Sequence, residues 1–302
     1  MNKKFTVAGI GELLWDVFPH RARIGGAPAN FAWHCGQIGA QAYPISCVGS
    51  DEFGERMRAD LAKMGVDTTY LLTDERYPTG QAKVTFDTEG KPNYEIILDA
   101  AWDHLAFTQE LKQLASKLDA VCFGSLSQRS DASRETIQSL LMAMPQQALK
   151  IFDVNLRQDF HSKKLIERSL QLANILKLSD EELPVLADYF DLNGSVIEKL
   201  QQLRTQFDLR LLVYTRGSQG SLLVSAETIN DASGQPVDMV DSVGAGDSFT
   251  AAICMGLLQK WSLSQINIFA NQVASFVCSQ VGATPVLPEQ LTPSNKKANA
   301  PQ

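Results

Sequence analysis

The sequence predicts an α/β protein in which helices cover both faces of a mostly parallel sheet, with a small antiparallel β flap attached. Three observations carry this. Short apolar runs alternate with amphipathic helical patterns along most of the chain. Two segments, Leu13–Ile24 and Gly80–Leu98, break the alternation with short strand patterns and polar turns. The 302 residues are 44% hydrophobic and 20% charged, ordinary for a chain long enough to bury a core without disulfide or metal staples.

In chain order, Phe5–Ile10 reads as a buried strand and Pro28–Ile38 as a helix with proline in its first turn. Tyr43–Val48 is a strand, and Glu52–Met64 a helix closed by Gly65. The runs Thr79–Asp87 and Asn93–Ile96 partly alternate apolar and polar residues. Glu89-Gly90-Lys91-Pro92 between them is hairpin-turn chemistry. Strands are then predicted at Ala120–Phe123, Ile151–Val154, Ile175–Leu178 and Leu211–Thr215. Helices are predicted at Ser133–Met144, Ser162–Ala173, Asp180–Tyr189 and Val196–Phe207. Two longer helices, Ala245–Lys260 and Leu263–Gln280, complete the pattern.

A net charge of −7 argues against a general nucleic-acid or anionic-membrane binder, although a few backbone N–H groups can still hold a small anion. No run of about 18 apolar residues offers a membrane span, and Glu12 and Asp16 interrupt the apolar run after the basic start. The five cysteines, Cys35, Cys47, Cys122, Cys254 and Cys278, form no C-x-x-C pair and mostly sit in apolar runs. They read as reduced thiols of a cytoplasmic protein. No P-loop is present, and Gly9-Ile10-Gly11 lacks the third glycine of a dinucleotide fingerprint.

Two glycine-rich segments carry chemistry. Gly25-Gly26-Ala27-Pro28-Ala29-Asn30 opens a helix. Its glycines let a ligand approach the backbone, and Asn30 both donates and accepts, which suits a polyol; a tight turn with a polar helix start has the same pattern. The second, Asp241-Ser242-Val243-Gly244-Ala245-Gly246-Asp247-Ser248-Phe249, precedes a long helix whose first N–H groups can hold a phosphate. Asp247 just inside that helix is either functional or simply helix-stabilising. Glycine at 244 and 246 costs backbone entropy with no evident packing return, which a close ligand would explain.

Together the two segments resemble the two signatures of the PfkB/ribokinase family of sugar kinases, with Ser242 where the family usually has threonine. The resemblance spans roughly residues 1–290. It implies a ribokinase-like three-layer α/β/α domain over 1–291, with a β lid from about 12–24 and 79–100 and a polar tail at 292–302. The first segment most resembles fructokinases, and Asp153-Val154-Asn155-Leu156-Arg157 resembles fructokinases and 2-keto-3-deoxygluconate kinases. The implied reaction is transfer of the ATP γ-phosphate to D-fructose, giving fructose 6-phosphate. Alternatives are a ribose, 2-keto-3-deoxygluconate, other ketohexose or nucleoside acceptor, or a non-catalytic sugar- or nucleotide-binding regulator. A phosphorylated acceptor would need a basic pocket, for which Arg21, Arg23 and Lys83 lie near the flap.

The resemblance also assigns roles. Asp247 is the expected base, the N–H groups of Gly244, Ala245, Gly246 and Asp247 the expected anion hole, and Arg157 a phosphate-neutralising group or a surface ion pair. Asp16, Gly25, Gly26, Asn30, Asp153 and Asn155 are the expected sugar contacts, with Trp15, Phe18, Phe86 and Trp102 available to pack on a sugar face or in the core. Asp16 reads otherwise as the exposed face of the flap hairpin. Thr215, Gly217 and Gly220 resemble the nucleotide loop, or a strand-to-strand turn, and Asn271 and Ala274 lie on the helix expected near adenine. Glu182 is the expected magnesium contact through water, although Ser179-Asp180-Glu181-Glu182 also has capping-box spacing. Carbonyls near Asp241, Val243 and Gly282 are the implied potassium site. The implied partners are sugar and ATP, neither nucleic acid nor membrane, with a homodimer through the flap strands by analogy.

Overall fold

The computed structural model describes residues 4–86 and 92–292. The expected turn at Glu89–Lys91 and the tail beyond Thr292 lie outside them. Strand β1 (Thr6–Ile10) leads directly into a hairpin, β2 (Leu14–Phe18) and β3 (Arg21–Gly25), and the chain returns through α1 (Ala27–Gln37), β4 (Gln41–Gly49), α2 (Glu52–Lys63) and β5 (Leu71–Asp74). A second hairpin pairs β6 (Gly80–Phe86) with β7 (Pro92–Ile96). Then follow α3 (Gln109–Ala115), β8 (Ala120–Phe123), α4 (Asp131–Ala143), β9 (Leu149–Asp153), α5 (Lys163–Leu172), β10 (Ile175–Ser179), α6 (Leu183–Tyr189) and α7 (Val196–Gln206). The chain continues as β11 (Leu211–Thr215), β12 (Ser221–Val224), β13 (Ile229–Ala232), α8 (Ala245–Leu258) and α9 (Leu263–Cys278).

The large sheet has the order β13-β12-β11-β10-β9-β8-β1-β4-β5 and is parallel from β5 through to β11; β12 and β13 are antiparallel additions. Along its strands, successive side chains go to opposite layers, as the two-residue strand period requires. Ala8, Phe152 and Leu176 pack with residues of α3 to α7, whereas Val7, Ile151 and Ile175 pack with residues of α1, α8 and α9. This is the expected three-layer arrangement. The sequence reading passed over β5, α3, β12 and β13, all short.

The two hairpins form the lid, ordered β3-β2-β6-β7, each antiparallel within itself, with β2 and β6 joining them in parallel. Strand alternation splits β2. Trp15 faces α2, is 1% exposed and donates its indole N–H to Phe53 O at 3.0 Å. Leu14 and Asp16 face the other way, into a cleft. Trp102 is also fully buried, so neither tryptophan is a sugar platform.

Candidate active site

The parallel strands deliver their carboxyl ends to one edge, where open α/β sheets bind ligands. Asp153, Ser179 and Thr215 end β9, β10 and β11, and the start of α8 meets them there. The result is a cleft of about 1590 Å³. Asp16 and Gly25 of the lid line it, as do Gly26, Asn30, Asn155, Arg157, Glu182 and the run Ser242–Asp247. Thr215, Gly217, Gly220, Asn271 and Ala274 line its other reaches. Asp16 is therefore a cleft residue and not an outer hairpin face. Burial pushes its carboxyl up to about 6, against the pull of Arg157 and Arg23.

The two sequence motifs touch. Asn30 Nδ2 donates to Asp247 Oδ2 at 2.8 Å. Burial pushes the Asp247 carboxyl up to about 6, with Asp153 adding to the rise and the Asn30 bond, Lys177 and Arg157 opposing it. Gly244 caps α8 with φ +77°, a left-handed conformation, and a Cβ there would lie 2.6 Å from Ala283. Packing thus does require glycine at 244, contrary to the reading from sequence. At Gly246 a Cβ would meet only Lys177 Nζ, at 3.3 Å, so close ligand approach concerns that glycine. The Ala245 N–H already donates to Ser242 O at 3.3 Å, while those of Gly244, Gly246 and Asp247 have no acceptor among the described residues. Three amides, rather than four, remain for an anion.

Asp153 lines a small recess beneath the cleft, beside Asn155 and Asp247. It is 4% exposed, and its oxygens accept from Lys177 Nζ at 2.9 Å and Thr250 Oγ1 at 3.1 Å. The pairing of β9 with β10 places Lys177 beside Asp153 in register. Burial raises the Asp153 carboxyl. Burial works against the Lys177 charge too, but Asp153 and Glu182 outweigh it and hold the ammonium protonated. Asp153 thus holds a buried ion pair that aims a cation at the α8 start. Lys177 was missed in sequence, although a lysine within the apolar run Ile175–Leu178 is the signal that could have found it.

Glu182 does form the reciprocal cap that its spacing allows. Its Oε2 accepts from Ser179 N at 2.7 Å, and its own N–H donates to Ser179 Oγ at 3.3 Å. Its Oε1 accepts from Leu156 N at 2.9 Å, which anchors the loop carrying Asn155 and Arg157. Both Glu182 oxygens are thus engaged, and the described residues contain no cluster of three metal-capable side chains. At the far end of the cleft, Gly220 packs against Ala232 O, where a Cβ would come within 2.0 Å, so the turn to β12 itself demands this glycine. Asn271 faces no solvent; it donates to Ser221 Oγ at 2.8 Å in a buried network with Asn267. Asp241 draws the loops together, accepting from Val243 N, Gly282 N and Arg23 Nη1 at 3.1 Å each.

The sequence profile described as "pfkB family carbohydrate kinase" matches residues 12–290. The chain belongs to the PfkB family of carbohydrate kinases. It is 31% identical to a sugar kinase of Pyrococcus horikoshii over 94% of this chain and 93% of that one. It is 29% identical to a fructokinase of Salmonella typhimurium over 85% of each. The fructokinase of Xylella fastidiosa with bound ATP superposes with a TM-score of 0.84, covering 95% of this chain and 96% of that one, at 23% identity, which shows the shared ribokinase-like fold. As a PfkB kinase the chain is an ATP-dependent sugar kinase. Among its described residues no helix is long and apolar enough to cross a membrane.

Proposed function

We propose that this PfkB kinase is a fructokinase, transferring the ATP γ-phosphate to D-fructose to form fructose 6-phosphate. The contact between Asn30 and Asp247 carries the reading, because it seats the sugar-side motif against the carboxylate at the α8 start. A hydroxyl held by Asn30 and Asp16 would give its proton to Asp247 as it attacks the γ-phosphorus. The open amides of Gly244, Gly246 and Asp247 would take the charge growing on the transferred phosphoryl, with Lys177 and Arg157 adding cationic field. Gly217 and Thr215, with Asn271 and Ala274, would seat the nucleotide. Magnesium, when bound, neutralises phosphate charge, with Glu182 reaching it through water.

The fructose acceptor is supported by the fructokinase-like form of Gly25–Asn30 and by the Salmonella relative. Arg23, the cross-strand neighbour of Asp16, is paired with Asp241 at 3.1 Å, which leaves less of its charge for a phosphorylated acceptor. Potassium would have to be held by main-chain carbonyls near Val243 and Gly282, since Asp241 already serves three donors. Free cysteines, four of them buried, favour a reducing cytoplasmic setting. The lid edges β3 and β7 are the surfaces through which a homodimer would form.

A coupled ADP-release assay over fructose, ribose, 2-keto-3-deoxygluconate and a nucleoside tests the reading. Fructose is expected to give the highest kcat/KM, and a win by any other acceptor displaces the fructokinase assignment. Repeating the assay in potassium and in sodium tests the cation site.

A further inference from the structure

Helix α1 is largely buried, yet one face of it carries a line of polar side chains. Asn30, His34 and Gln37 stand four and three residues apart, so they stack along the same side. Asn30 reaches Asp247. Gln37 donates from Nε2 to Pro285 O at 3.4 Å and accepts at Oε1 from Leu287 N at 3.0 Å. Between them, His34 Nε2 lies 2.9 Å from Ala283 O, and the ring is fully buried. A carbonyl oxygen only accepts, so Nε2 carries the proton and donates it. Burial pushes the imidazole down to about 4, so the donor is the neutral ring. Neither glycine-rich segment nor the chemistry above uses this histidine.

What His34 holds is the backbone that supports the start of α8. Residues 281–288 belong to no helix or strand, so no ladder of backbone bonds fixes them. Ala283 is nonetheless packed closely on Gly244: a Cβ on Gly244 would fall 2.6 Å from Ala283 Cα, Cβ and O alike. Ala283 O is thus both the atom that His34 grips and a wall of the left-handed turn at Gly244. The preceding residue, Gly282, donates its N–H to Asp241 at 3.1 Å, which pins the other side of the same support. The turn at Gly244 in its place sets the direction of the open amides of Gly244, Gly246 and Asp247. Without the imidazole donor, a buried carbonyl loses its partner and the support can shift, while α8 stays packed on the apolar residues of α1 and α9.

We propose that His34 is a positioning residue for phosphoryl transfer, holding Ala283 against Gly244 so that the α8 amides stay aimed at the charge growing on the transferred group. Asn30 places the base, and His34, one turn further along the same face, places the anion hole. One helix thereby aligns the two. A shift of about 1 Å in such donors costs on the order of 100-fold in rate. The inference rests on the kinase reading of the α8 start and deepens it.

The experiment compares wild type, His34→Gln and His34→Met on the best acceptor of the sugar panel. The two replacements have similar length and volume, but only glutamine brings an N–H close to the position of the imidazole Nε2. His34→Met is expected to lower kcat roughly 10- to 100-fold. KM for the sugar and for ATP should stay near wild type, because the amides act on charge that develops during transfer. His34→Gln should restore kcat to near the wild-type value. An equal loss of kcat in the two variants, an effect confined to KM, or a loss of thermal stability without loss of kcat overturns the role of His34 while leaving the kinase reading intact. A wild type that phosphorylates no sugar defeats the kinase reading and this one with it. Should His34→Met lose its cooperative thermal transition, His34→Asn takes its place, since its amide ends one methylene short of Ala283 O. The same gap in kcat to His34→Gln is then expected. If His34→Gln does not fold, or is the only variant that folds, the position is structural and the proposal falls.

Discussion

Asn30 and Asp247, 217 positions apart in the chain, meet through a single 2.8 Å hydrogen bond from the amide to the carboxylate. That bond fixes Oδ2 and leaves Oδ1 without a hydrogen bond to the described protein, open to take a proton from the cleft. Asp247→Asn keeps the size and an acceptor for Asn30 but cannot take the proton. It is expected to lower kcat by at least 10²- to 10⁴-fold, the range for losing a positioned base. ATP affinity, measured by calorimetry, should change by no more than a few fold. Near-normal kcat in this variant would remove Asp247 from the chemistry.

The pH dependence follows from the same contact. With its carboxyl raised by burial to about 6, Asp247 is ionised and competent above that pH and protonated below it. The rate should therefore climb between roughly pH 5 and 7 and level above. Asp16, also near 6, and Glu12, near 7, titrate in the same window, so the limb reports the group rather than one residue. The Asn30 bond favours the ionised form. Asn30→Ala should therefore raise the midpoint of the kcat/KM profile, with a larger loss at pH 6 than at pH 8. A midpoint that stays put or falls contradicts the role of this bond.

The sheet and its helices were legible because apolar periodicity changes from strand to helix along the chain, and strands such as Ala120–Phe123 and Leu211–Thr215 were placed to the residue. β12 and β13 were not, since four-residue strands joined by the Ser225–Thr228 turn leave little period to read. At the site, residues exposed by a glycine-rich context, such as Asn30 and Asp247, could be read directly. Asp153 was singled out through the family resemblance of Asp153–Arg157, but its partner Lys177 is contributed by the neighbouring strand. Pairing across strands is a tertiary fact, and one sequence carries no signal for it beyond the anomaly of a lysine among apolar residues.

The Lys177–Asp153 pair makes its own prediction. Removing one member of a buried ion pair strands the other, at a cost of about 3–5 kcal/mol. Lys177→Met should therefore lower both stability, by denaturant titration, and kcat. Adding Asp153→Asn relieves the stranded carboxylate while keeping an acceptor for Thr250. The double variant should regain much of the stability but stay at least tenfold down in kcat, since the cation beside Gly246 is still missing. Recovery of activity along with stability would make the lysine purely structural.

Gly26 joins the sugar-side loop to α1 under tight constraint. Its φ of +121° is one that side-chain-bearing residues rarely adopt, and a Cβ would fall 2.4 Å from Glu12 O and 3.1 Å from Leu13 Cα. Those neighbours are backbone, so relief requires the β1–β2 link or the start of α1 to move. Either movement disturbs the 2.8 Å bond from Asn30 to Asp247. Gly26→Ala should therefore cost about 2–4 kcal/mol of stability, raise KM for the sugar at least tenfold and lower kcat, with KM for ATP nearly unchanged. Gly65→Ala is the control: its φ is +79°, but nothing lies within 4 Å of the added methyl. It should lose about 1 kcal/mol from backbone strain alone and leave both KM values where they were. Equal kinetic damage from the two variants would mean that the loop geometry at Gly26 is not what seats the sugar.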